Sequence, residues 1–179
     1  MERVGEHSNV VGGTKVYAMA NKVRREAGDL CRLEQRIAGI LADSFINTTT
    51  GLTWAGLLPL SLDAKSSSNH SSLDSTHRTT AIGHQGGAMF PLAEGTTHTF
   101  GVDVLNFDSA NGAMATKQAL SCRVGVTGPA ASVIPGMSGE QTELQWDLSF
   151  PAHPTIPMQS QVYHWFSESG CFVQDPTRP

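Results

Sequence analysis

The sequence predicts a mainly β protein with one long N-terminal helix: an antiparallel β-sandwich preceded by an amphipathic helix. Three observations lead there. Val16, Val23, Leu30 and Ile37 recur at intervals of seven, and Met19, Leu33 and Ile40 follow three of them by three places. That is the apolar stripe of a helix lying lengthwise on a partner. Further along, apolar and polar residues alternate, the period of half-buried strands. The chain of 179 residues also carries only 16% charged side chains, below the roughly 25% usual in soluble domains. Serine, threonine and glycine fill the gap.

The elements follow in order. Residues 1–14 read as a flexible arm ending in Gly12-Gly13, and Thr14 suits a helix N-cap. The helix spans 15–44, weakened by Gly28 and Gly39 at about 1 kcal/mol each relative to alanine. Its persistence therefore calls for a partner surface. Residues 45–179 form the β-domain. Leu52–Leu62 is apolar enough for a buried strand, although Gly56 and Pro59 demote it to an edge or bulged one. Residues 63–88 are the most polar stretch and read as a long surface loop. Strands are expected at 97–107, 119–126 and 142–150, with a turn at 108–112 and a strand or hairpin at 160–173. Trp146 belongs to the core through its alternation with Leu144, Leu148 and Phe150. No βαβ alternation and no internal repeat appears, which points to a jelly-roll-like sandwich.

Charge is unevenly placed. Between residues 15 and 40 six basic residues face three acidic ones, whereas from 41 to 179 five basic residues face eleven acidic ones. Lys22, Arg24, Arg25, Arg32 and Arg36 are the residues through which the helix would touch nucleic acid or an acidic neighbour. The plainer reading is a solvated helix face, since nucleic-acid arms carry denser Lys/Arg clusters. No stretch approaches the 18 apolar residues of a membrane-spanning helix. Residues 1–15 lack the apolar core of a secretory signal, so the expected location is virion or cytoplasm. Cys31, Cys122 and Cys171 have no metal-type spacing. A reduced chain is the simplest state, with Cys122–Cys171 as the pair a fold could bring together.

Candidate chemistry is sparse. His70, His77 and His84 recur every seven residues, with His98 beyond. His77, His84 and His98 would be the ligands of a metal-dependent β-barrel enzyme, but no His-x-His or His-x-Asp pair supports one. Nucleophile elbows and phosphate-binding loops are absent, so neither an enzyme nor a cofactor is expected. Tyr163 and Trp165 alternate with His164 and Phe166 and make the best ligand patch, suited to a glycan or peptide.

The function these features favour is a self-assembling structural subunit of a virus or phage particle. Val16, Met19, Val23, Leu30, Leu33, Ile37 and Ile40 would form the interface of a homo-oligomer. The pattern is similar in architecture to small jelly-roll coat subunits and to trimeric fibre heads following a coiled coil, without a shared motif. A β-sandwich module binding a glycan or peptide is the alternative.

Overall fold

The computed structural model describes residues 2–5, 17–39, 45–68 and 71–175. These form eleven strands: β1 (Glu2–Gly5), β2 (Tyr17–Arg25), β3 (Leu30–Gly39), β4 (Phe45–Trp54), β5 (Leu58–Ser68), β6 (Ser72–Gln85), β7 (Thr97–Asp108), β8 (Gly112–Pro129), β9 (Glu140–Ser149), β10 (Gln159–Phe166) and β11 (Cys171–Gln174). One short 3₁₀ turn, Ala130–Ser132, is the sole helical element among the described residues. Each strand bonds to its neighbours in sequence, in the order β1 to β11. A jelly roll needs partners that are distant in sequence, so this meander replaces the expected sandwich.

The expected helix over 15–44 is replaced by the antiparallel hairpin β2–β3. Its stripe residues become cross-strand partners, Val23 opposite Leu33 and Met19 opposite Ile37. Gly28, read in the sequence as a weak point of a helix, sits in the turn with φ +58°, where Leu30 N–H donates to the Ala27 carbonyl at 3.0 Å. The physical reason lies in the alternation Cys31-Arg32-Leu33-Glu34-Gln35-Arg36-Ile37. Period two presents one apolar face as a strand, while good helix formers disguise it. Pairing with the threonine-rich β4 then satisfies the backbone. Val16 and Ile40, assigned to the stripe, lie outside the described residues, as does most of the arm.

The polar stretch 63–88 is also a correction. It is a hairpin in which Ala64 faces Ser75 and Leu62 faces His77. Serine and threonine are compatible with strands, and the low hydrophobicity that suggested a loop reflects weak burial. Between β4 and β5, Ala55 (φ 53°) and Gly56 (φ 85°) make a tight turn, of the kind that matches strand twist. The register slips between Leu52 and Thr53, where Thr53 pairs with Pro59, which has no N–H to give to a ladder. The later strands fall close to expectation. The turn after β7 is fixed by Asp108, whose Oδ1 accepts from Ala110 N at 2.9 Å and Asn111 N at 2.5 Å.

The chain divides into two compact units. The first comprises the described residues up to Arg78 together with Asn106–Met114. The second comprises Thr79–Leu105 and the described residues from Ala115 on. The second holds the larger core: Phe100, Val102 and Val104 of β7, Leu120, Cys122 and Val124 of β8, Leu144 and Trp146 of β9, all buried. Strand β10 is buried on its other face too, through Val162, His164 and Phe166. Towards the end of β7, Leu105 and Phe107 are 43% and 45% exposed. In the first unit the buried set is smaller, chiefly Val23, Cys31, Thr53, Ala55, Leu57 and Leu58.

Candidate binding cavity

The first unit pairs its sparse core with a cavity of about 650 Å³. Register explains its lining. Gln35 pairs with Thr49, Thr49 with Ala64 and Ala64 with Ser75, so these side chains share one face of β3–β6. One pair along, Leu33, Gly51, Leu62 and His77 share it as well. Asp63 and Lys65 alternate onto the opposite face, and both are exposed. The lining is therefore hydroxyl, amide and aliphatic, closed by Asn106 from β7 and rimmed by Phe107 and Met114. Asp108, the only acidic residue in the lining among the described residues, is tied into its turn, and Asn111 holds its carboxyl below the ordinary range.

Gly51 lets β4 and β5 lie close together beside the cavity. A Cβ there would overlap the Ser61 carbonyl oxygen and reach Leu62 Cα at 2.8 Å. Only a glycine lets β5 approach so closely.

Among the described residues His77 is the one basic side chain in the lining. Its Nδ1 pairs with Asn106 Oδ1 at 3.0 Å, and its Nε2 is buried with no partner in hydrogen-bond geometry. Burial pushes its pKa below the ordinary histidine value, outweighing Asn106 and the Pro59 carbonyl, which favour the charged ring. The neutral ring adds one donor and one acceptor without adding charge.

The basic residues singled out in the sequence lie on the other side of the same strands. Lys22 pairs with Glu34 and Arg24 with Arg32, placing these four on the outward face. Arg36 shares that face by its alternation with Glu34 and Arg32. Arg24 and Arg32 both bond Glu26 at 2.8 Å and hold its carboxyl below the ordinary range. Arg25 falls on the opposite face and donates to the Gly28 carbonyl at 2.9 Å. Basic and acidic side chains thus interleave on a surface of mixed sign.

Of the three candidate metal ligands, His77 belongs to the first unit, while His84 and His98 meet in the second. Among the described residues, no group of three or more His, Cys, Asp or Glu side chains is placed to hold a metal ion. His70 lies outside the described residues. Tyr163 and Trp165 form no open platform. Tyr163 packs edge-on to Trp146 at 6.1 Å and donates to Gln161 Oε1 at 3.0 Å, and burial pushes its phenol up to about 12. Trp165 packs against Phe90 at 6.2 Å. Trp146 is core, as its alternation indicated. Cys122 keeps a free buried thiol, raised in pKa by burial and by the Asp147 carboxylate. The Cys122–Cys171 pair is therefore not formed. Cys171 is disulfide-bonded rather than free, so the chain is not fully reduced.

The second unit carries a more open groove of about 510 Å³, bordered by His84, Phe100, Ser121, Asp147 and Met158. Asp147 Oδ1 accepts from Ser160 Oγ at 2.6 Å.

Among the described residues no helix is long and apolar enough to cross a membrane. Comparison with known protein families, curated proteins and solved structures finds no match.

The cavity residues Thr49, Leu62, Ala64, Ser75 and Asn106 were missed in the sequence. The alternation of Leu62 and Ala64 with Asp63 and Lys65 was the available signal, hidden inside a stretch read as loop.

Proposed function

We propose that this protein is a non-catalytic binding module that takes a small, uncharged amphipathic molecule into the cavity of its first unit. The supporting observation is the lining itself. A cavity in the usual range for small ligands is walled by Leu62 and Ala64 with the hydroxyls of Thr49 and Ser75, and rimmed by Phe107 and Met114. Among the described residues no lysine or arginine lines it, so none of them would balance a phosphate or carboxylate. An apolar body with one or two hydrogen-bonding groups suits the lining best. This reading keeps the binding-module alternative and moves its site away from Tyr163 and Trp165.

The test is titration with an uncharged solvatochromic dye such as Nile red, followed by competition with uncharged lipids and aromatic alcohols. Saturable binding that disappears in Ala64→Trp, with circular dichroism unchanged, supports the assignment. Binding that survives this blockade would refute it.

The self-assembling structural subunit remains a second reading, including a viral or phage coat. One observation favours it: the second unit leaves the large apolar side chains of Ile82, Leu105, Val126 and Met158 each more than 40% exposed, and contiguous exposed apolar surface marks assembly sites. Light scattering after size exclusion separates the readings. A mass near 19.1 kDa counts against assembly.

A further inference from the structure

His84, near the end of β6, and His98, near the start of β7, face each other in the second unit. Their nitrogens His84 Nε2 and His98 Nδ1 are 3.4 Å apart, and their ring planes differ by 30°. That contact meets hydrogen-bond geometry, so in the metal-free chain one imidazole N–H donates to the other ring nitrogen. The same spacing also suits tetrahedral zinc. With Zn–N bonds of about 2.0–2.1 Å, two imidazole nitrogens on one ion lie about 3.3–3.4 Å apart. At the same bond length, the right angles of an octahedral or square-planar ion require only about 2.8–3.0 Å.

Three further features prepare the pair. Gly86 leaves room beside His98, since a Cβ there would sit 3.0 Å from Nδ1. The His84 ring stacks on Phe100 at 4.5 Å and 11°, which fixes its direction as outer-shell contacts do in metal sites. His84 is exposed and borders the open groove, giving an ion a path in. His98 is 3% exposed.

We propose that His84 and His98 form a two-imidazole site for a tetrahedrally coordinated divalent metal, with zinc the ion whose bond lengths fit. No third His, Cys, Asp or Glu among the described residues completes the shell, so water from the groove takes the other two positions. Such a site binds reversibly and leaves positions open to a ligand in the groove.

The experiment uses the full, untagged chain at neutral pH. It combines calorimetric zinc titration with cobalt(II) titration followed by visible absorption. The expected result is one equivalent of zinc, and a tetrahedral cobalt spectrum, both lost in His84→Ala and kept in His77→Gln. Because His84 is exposed, its removal spares the core, and circular dichroism checks this. His98→Gln, which keeps a polar side chain, should lose the same equivalent. Unchanged stoichiometry in His84→Ala, an octahedral cobalt spectrum, or no zinc uptake by the native chain would each overturn the assignment.

Discussion

Replacing His164 by alanine should cost this protein a large share of its stability. His164 is 4% exposed. Its Nδ1 pairs with Gln141 Oε1 at 2.8 Å, and its Nε2 with Asp175 Oδ2 at 3.2 Å. Gln141 is itself 6% exposed, and the Asp175 side chain 11%. Removing the ring takes a buried partner from each. Each buried polar group that loses its hydrogen bond costs about 1–3 kcal/mol. Because the two losses share one side chain and are not additive, about 2–4 kcal/mol is expected in all. Total stabilities of such domains run about 5–15 kcal/mol. Urea unfolding at pH 7, read by tryptophan fluorescence, measures the loss as a lower midpoint at unchanged slope. Lys117→Ala serves as the control. It breaks the Lys117–Asp103 pair, whose side chains are 74% and 45% exposed, and should cost under about 1 kcal/mol. If His164→Ala stays within about 1 kcal/mol of the parent, the buried relay does not hold β10 and the following segment as described.

Two further outcomes follow from the same packing. Gly51→Ala forces a Cβ into the Ser61 backbone, which cannot yield as a flexible side chain could. The thermal midpoint should drop by several degrees, roughly 1–3 kcal/mol, and dye binding in the neighbouring cavity should weaken with it. His77 and His98 both titrate below their ordinary value of 6.5 in the folded chain. Protons therefore bind the unfolded chain more readily. The stability these neutral rings contribute is full above about pH 6.5 and is lost as pH falls through their folded values. His77→Gln should flatten that acid limb in urea midpoints measured from pH 7.5 to 5, and an unchanged limb would remove His77 as its source.

The strands from residue 97 on were legible because burial is one-sided or nearly complete there. Phe100, Val102 and Val104, and then Leu120, Cys122 and Val124, write the pleat directly into the sequence. The helix read over 17–39 and the loop read over 63–85 are both strands, misread for two opposite reasons. In β2 and β3 the side chains are good helix formers, and an apolar spacing of seven imitated a helix stripe. In β5 and β6 the inward residues are too polar to announce a strand, because they line a cavity instead of a packed core.

What the sequence determined alone was its β character beyond residue 97, the core role of Trp146, the turn at Asp108–Gly112 and the clustering of basic residues at 22–36. Tertiary structure decided the rest. Register places Thr49, Leu62, Ala64, Ser75 and His77 on one face, sends Lys22 and Arg24 to the other, and brings His84 within 3.4 Å of His98. The physical reason is that periodicity reports the environment of each side chain along one strand, whereas a site is made by neighbours on different strands. Their alignment depends on turns and bulges, and a shift of one residue would turn every side chain to the other face.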